Sequence, residues 1–388
     1  MCDFKGSPSR SGVLAIQNKI KGAHYEVEKT NKVIWNSLIT DVDFGYDGNI
    51  YVSDWVNGWG MTGKGRIYRI SSNEKDKAAD IVRKLFENGF EKFIDNRLIE
   101  FLSHVDMRVR LASQFELVKR NKIEALADVA KESNHQLARL HGIWGIGQIS
   151  RRTKDTILTL LPLLNDKDTE VRTQTVKVIG DAKYDLAHPN LILLLEDKNA
   201  RVQTQAAIAL SKLNKGANKE VLSMLEKNNG TDPIVQHAGI LALANHSKPE
   251  ELALLSNSNS LSIKTAAIVA LRRQNNKAVS KFLNDKNNQI QLEAARAIGD
   301  EHLKTAMPNL ADLYRSTKLT KNVMRRVLNA NYRLAHAESL AFVAADKNYS
   351  VLARSESLNL LAAWKNPSGR DRISGLWRPI AKRANSLA

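Results

Sequence analysis

Residues 160–183, LLPLLNDKDTEVRTQTVKVIGDAK, decide how the chain folds. An apolar run from Ile157 to Leu164 ends in a polar turn, and a second apolar series opens at Val171. Within that series Val171, Thr175, Val178 and Ile179 share one helix face, because spacings of four, seven and eight residues nearly close whole turns. Asp168 stands three residues ahead of Val171 and reads as an N-cap, since a short side-chain oxygen can bond the first free amides of a helix. The stretch therefore predicts a helix, a short turn and a second helix.

The decamer VRTQTVKVIG from Val171 recurs along the chain. It appears as VRLASQFELV from Val109, ARLHGIWGIG from Ala138, VQTQAAIALS from Val202 and VQHAGILALA from Val235. It continues as IKTAAIVALR from Ile263, IQLEAARAIG from Ile290, MRRVLNANYR from Met324 and ARSESLNLLA from Ala353. The nine starts lie 29, 33, 31, 33, 28, 27, 34 and 29 residues apart. Position five is small in every copy but one, the exception being Leu328, and a small residue there admits a neighbouring helix to close packing distance. Asp106, Asp168, Asn199, Asp232 and Asn287 each stand three residues before position one, as N-caps. One such hairpin cannot bury its own apolar face, whereas a stack of them forms a continuous core. The register predicts burial of Val171, Ile179, Ala206, Leu210, Ala267, Leu271, Ala294 and Ile298.

The N-terminal text differs. Residues 33–70 carry short β-type runs, Leu38 to Val42, Asn49 to Ser53 and Arg66 to Ile70, separated by glycine turns. Asp47-Gly48 signals a tight hairpin and Asn57-Gly58 another turn, because such turns need positive φ. Trp55 to Gly65 is a glycine-rich loop. The segment reads as antiparallel β.

LLPLLNDKDTEVRTQTVKVIGDAK resembles the HEAT repeat, in particular the variant of phycocyanobilin-lyase-type domains, with Asp in the turn and Val-Arg opening the second helix. Pro189 in HPNLILLLEDKNARV matches the proline that family places early in its first helix. The resemblance covers roughly residues 76–365, although Gln203, Gln236, Lys264 and Gln291 replace the usual Arg. DVDFGYDGNIYVSDW and GKGRIYRI resemble the closing blade of a six-bladed propeller of the soluble glucose/sorbosone dehydrogenase type. WVNGWGMTGKGRIYRI resembles the propeller-to-HEAT junction of large bacterial proteins in which a c-type cytochrome domain often follows, and WKNPSGRDRISGLWRPIAKR resembles the exit from their HEAT domain. A propeller needs at least about four blades, and the first 72 residues hold one or two, so the expectation is a fragment or remnant. The expected fold is mainly α: a right-handed α-solenoid of about nine HEAT-like repeats over residues 73–365. A β remnant of incomplete propeller blades over 1–72 precedes it, and a basic C-terminal tail over 366–388 follows.

Few residues carry chemistry. Asp54, Trp55, Trp59, Lys64 and Arg66 cluster around the glycine-rich loop, which in the resembled family rims the propeller mouth. As packing, Trp55 and Trp59 would instead anchor the β segment on the first helices. Asp43, Asp47, Gly48 and Asp54 fall at calcium-loop-like spacing, but the flanks are strands and the last acid is not Glu, so surface turn carboxylates are expected. His135 and His141 are six apart and fall on different helix faces, unlike a helical zinc pair. Arg110, Arg139, Arg172, Arg325 and Arg354 occupy position two. They read as a structural ladder bonding turn carboxylates such as Asp106 or Asp168, or helix-end carbonyls; the competing reading is a phosphate-tracking stripe.

The single cysteine, Cys2, excludes an intrachain disulfide, a thiolate zinc site or a haem-attachment motif. Hydrophobic residues at 43% and charged residues at 26% exclude a wholly disordered or collagen-like chain. No apolar run reaches the ~18 residues of a membrane span, and the first 30 residues lack the apolar stretch of a secretory leader. The resembled parent family is typically extracytoplasmic. The net charge of +17 favours weak, salt-sensitive attraction to polyanions. The expected function is a non-catalytic, monomeric protein-interaction scaffold, without cofactor or metal, that receives a protein partner on the concave face. Two alternatives are a DNA-binding or DNA-repair HEAT protein of the alkylpurine-glycosylase type and a remnant of a quinone-dependent sugar dehydrogenase. The tail cations Arg370, Arg372, Arg378, Lys382 and Arg383 are expected to be solvated.

Overall fold

The computed structural model describes residues 1–56, 63–71 and 77–383. Two antiparallel three-stranded sheets come first. One joins β1 (Cys2–Asp3), β2 (Gly12–Lys21) and β3 (His24–Trp35). The other joins β4 (Ile39–Phe44), β5 (Ile50–Asp54) and β6 (Arg66–Ile70). The three β-type runs read from the sequence are the second sheet; the long β2–β3 hairpin is not among them, although HYEVE alternates as the start of a strand does. Gly48 turns the β4–β5 hairpin at φ 78°, where a side chain would be strained. The second sheet has three strands where a propeller blade has four. The sheets share a small core of Val13, Ile39 and Val52.

The rest is helical. The helices are α1 (Lys77–Asn88), α2 (Asp95–Phe101), α3 (Met107–Lys119), α4 (Ile123–Glu132), α5 (Gln136–Ile149) and α6 (Thr169–Asp181). They continue with α7 (His188–Leu193), α8 (Ala200–Lys212), α9 (Asn218–Asn228), α10 (Pro233–His246), α11 (Pro249–Leu254) and α12 (Leu261–Arg273). The last are α13 (Asn288–Gly299), α14 (Met307–Ala311), α15 (Lys321–Arg333), α16 (Ala337–Ala345) and α17 (Val351–Ala362). Each decamer lies in the second helix of a hairpin, so the arrangement is solenoid-like. Two first helices, Lys154–Asn165 and Lys277–Phe282, are 3₁₀ rather than α. In the former, Pro162 removes a backbone donor from the interior.

The decamer register matches the packing. Position one is buried in all nine copies, and so is position five, including the larger Leu328. All eight residues singled out for burial are fully buried. Asp106, Asp168, Asp232 and Asn287 cap their helices through side-chain oxygens, as do Ser260, Thr320 and Ser350 in copies whose caps were not identified. Asn199 accepts the Arg201 amide at 2.9 Å in the same way.

The chain divides into two compact units, Met1–Asn190 with Asp197–Gln205, and Leu191–Glu196 with Ala206–Ala388. In the first, α3 packs on α5 and α5 on α6; in the second, α10, α12, α13, α15 and α17 pack in succession. Within the first unit, Tyr46 stacks on Phe86 of α1 at 4.1 Å. Arg108 of α3 lies over the Tyr46 ring at 5.2 Å and donates to the Phe44 carbonyl at 2.9 Å. In the second unit, the tail cations are not solvated as a group. Arg372 donates twice to Glu356, and Arg378 to the Asp300 carbonyl at 2.8 Å. Arg383 lies over the rings of Trp364 and Tyr332, at 4.2 and 4.9 Å. Asp371, fully buried as a side chain, pairs with Arg333 of α15 at 3.1 Å and so ties the C-terminal tail to that helix. Lys382 stays exposed.

Candidate functional site

Of the five glycine-rich loop residues, Asp54, Trp55, Lys64 and Arg66 lie among the described residues. Asp54 closes β5 opposite Arg66 of β6, and Arg66 turns to the Tyr68 hydroxyl at 3.1 Å. Lys64 is exposed. Trp55 stacks on Phe4 at 5.7 Å, while Tyr46 stacks on Phe86 of the first helix. Asn57, Gly58 and Trp59 lie outside the described residues. The calcium-like acids are apart. Asp43 is opposite Tyr51, Asp54 is opposite Ile39, and Asp47 accepts from the Asn49 amide, Asn49 Nδ2 and the Tyr51 hydroxyl. The Asn49 and Tyr51 donors hold the Asp47 carboxyl below its usual range.

The position-two residues form a bonded series with partners of two kinds. Backward, four of the five guanidiniums take carbonyls of the preceding turn or helix end: Arg110 bonds His104 and Val105, Arg139 bonds Ala130, Arg172 bonds Asp166, and Arg354 bonds Ala344. Forward, the partner is the carboxylate two residues before the next cap. Arg139 grips Asp166 at 2.5 and 3.2 Å, Arg172 grips Asp197 at 2.9 and 3.1 Å, and Lys264 reaches Asp285 at 2.6 Å. Asp106 and Asp168 are instead engaged as caps. Asp106 also takes Arg108, and Asp168 takes Gln136 at 2.8 Å. The ladder acids are thus Asp166, Asp197 and Asp285, which the sequence reading did not single out. The signal was the tripeptide Asp-Lys-Asp/Asn at 166–168, 197–199 and 285–287. Burial raises the pKa of Asp166 and Asp285, but Arg139 and Lys264 hold both below normal. The pairing follows charge. Gln203, Gln236 and Gln291 are neutral, and the corresponding turn residues are Gly230, Ser258 and Lys318.

Arg110 departs from the series. Its Nε–H donates to His141 Nε2 at 3.3 Å, and His141 Nδ1 bonds Gln114 Oε1 at 2.7 Å. Burial and the nearby Arg110 charge lower the His141 pKa to about 4. The ring is therefore a neutral structural link between α3 and α5. His135 is the cap residue of α5 and lies apart from it.

One basic concavity stands out in the first unit. A cavity of about 560 Å³ is lined by Trp144, Arg151, Arg152, Lys154, Lys177 and Lys183, with Asp181 beside Lys177 at 3.0 Å. The ends of α5 and α6, with the turns that follow them, bring these cations together. Among the described residues no three metal-ligating side chains converge, and no helix is long and apolar enough to cross a membrane.

Residues 123–211 and 157–244 match the family model for HEAT repeats. The chain therefore contains HEAT repeats in a solenoid-like helical array. No curated protein matches it. Among solved structures, YibA of Escherichia coli is similar at 17% identity, covering 75% of this chain and 99% of that one, with a TM-score of 0.36. The CpcE–CpcF complex of phycocyanin lyase from Nostoc is similar at 17% identity, covering 62% and 94%, with a TM-score of 0.33. Kap95p, in its complex with RanGDP, is similar at 11% identity, covering 71% and 46%, with a TM-score of 0.45.

Proposed function

We propose that the chain is a non-catalytic protein-interaction scaffold. One observation carries this reading. The regular charges are engaged inside the repeats, while first helices present large apolar side chains, Leu158, Leu193, Leu254 and Phe342, to solvent. Stacked repeats of this kind offer extended surfaces to protein partners. The finer reading makes this the HEAT portion of a sugar-dehydrogenase-like bacterial protein, supported by the junction phrase WVNGWGMTGKGRIYRI and the antiparallel β4–β5–β6 meander. The test is chemical cross-linking of the tagged full chain in its native extract at physiological salt, with the linked residues mapped. A stoichiometric protein linked near the exposed first-helix positions is expected. Sugar oxidation by the chain with added quinone, or absence of any linked protein, overturns the reading.

The Trp144 cavity favours a second reading, binding of a polyanion. Clustered cations beside an aromatic ring suit phosphates and stacked bases. A salt titration with damaged and undamaged duplex DNA separates the two readings. Weak binding that collapses near physiological salt is expected of the scaffold. Tight binding with a lesion preference at that salt promotes the DNA-repair reading.

A further inference from the structure

We propose that the cleft between the first turns of α15 and α17 docks an acidic, apolar segment of a protein partner. Its carboxylate would pair with the cations Lys321 and Arg325 on the rim of the cleft. The inference rests on the scaffold reading and names the chemistry of one of its sites. In eight copies position two lies four residues after the cap; in α15 the cap is Thr320 and Arg325 is five residues on. That extra residue turns Arg325 out of the ladder, and it is exposed. The following turn is altered too. Asp346 precedes position one, Ala353, by seven residues, whereas Asp166, Asp197 and Asp285 precede theirs by five. The lengthened turn inserts Tyr349, which is buried and bonds the Tyr314 carbonyl at 2.8 Å. Among the described residues no carboxylate then meets Arg325, and a cavity of about 430 Å³ opens beside it.

The lining defines the occupant. Met324, Leu328, Ala353 and Tyr349 give an apolar floor, and Lys321 and Arg325 stand on the rim. Neither cation forms an ion pair with a described residue. Glu356, the one acid lining the cavity, is held by two bonds from Arg372 at 2.9 Å. Two free cations above an apolar floor complement a carboxylate with a large apolar neighbour. They match a polyphosphate chain poorly, since that has no apolar part to cover the floor.

The test uses the full chain with ¹³C-labelled methionine methyl groups, Met324 being assigned from the resonance lost in Met324→Leu. The probes are acetyl-Glu-Glu-Leu-Phe-amide, its Gln-Gln counterpart and a thymidine decamer. A saturable shift of Met324 with the acidic peptide is expected, roughly tenfold weaker with the Gln peptide, because a charge-assisted bond is lost. Arg325→Glu should weaken binding at least as much while leaving the other methyl resonances in place, and Arg325→Lys should retain most of it. No Met324 shift, equal response to both peptides, indifference to Arg325→Glu, or a response to the oligonucleotide alone overturns the proposal. A cross-linked partner whose contacts all lie away from this cleft removes the docking site and leaves the scaffold reading intact.

Discussion

Gly142, at position five of α5, has no room for a methyl group: a Cβ there would meet the Leu126 carbonyl at 2.6 Å and the Ala130 nitrogen at 2.9 Å. Both atoms are backbone of α4, so neither can rotate aside. Gly142→Ala should cost ~1–3 kcal/mol, as overpacking does, read as a lowered denaturation midpoint. Ser113 occupies the same position in α3 but buries a hydroxyl that has no partner among the described residues. Ser113→Ala should therefore be neutral or stabilise by ~1 kcal/mol. The same position thus carries opposite signs, which the decamer pattern alone does not tell. His141 adds a pH dependence. Its folded pKa is near 4 and its unfolded value near 6.5, so the unfolded chain binds the extra proton between those values. Stability is full above pH ~6.5 and falls on acidification, by ~2 kcal/mol at pH 5. His141→Gln, compared with the parent from pH 7.5 to 5 by urea denaturation, should remove that part of the slope. Identical slopes would show that His141 does not couple folding to protons.

At the scale of elements, the second helices were legible because burial at positions one and five repeats nine times. The ladder acids were not, because Asp166, Asp197 and Asp285 look like any turn carboxylate until the next helix is placed beside them. Arg172 and Asp197 are nearly buried as side chains, at 8% each. Breaking the pair leaves a charge without its partner, so Arg172→Gln should cost ~3–5 kcal/mol. The double substitution Arg172→Gln with Asp197→Ser copies the neutral combination of Gln236 and Ser258. It should recover most of that loss in a double-mutant cycle, and additive losses would argue against a pairwise rung. Helix ends offer a further check. Lys183 follows α6 with φ 50°, a left-handed conformation that disfavours a side chain. Lys183→Gly should raise the melting temperature, by ~1 kcal/mol of stability.

Across the whole molecule the two kinds of text carry unequal cores. The β segment buries little beyond Val13, Leu38, Ile39 and Val52, and Ile67 is 77% exposed on the edge strand β6. The arm formed by β2 and β3 is solvated along most of its length. Its long strands were missed in the sequence because Lys, Asn and Glu fill both faces beyond Ala15, which blurs the alternation a buried sheet would impose. The helices, in contrast, bury positions one and five in every copy. Local stability follows buried apolar contact, so the strands should open well below the free energy needed to open the repeats. Exposed strand edges have the same effect, since they hold backbone groups without partners. Native-state hydrogen exchange read by mass spectrometry should show β2, β3 and β6 exchanging first, β4 and β5 next, and α12 and α13 last. Limited proteolysis should correspondingly remove the first 72 residues and leave a helical remainder. If β4 and β5 were protected as long as α12, the N-terminal segment would be an integral part of the fold, and its treatment as a separable, incomplete propeller blade would have to be abandoned.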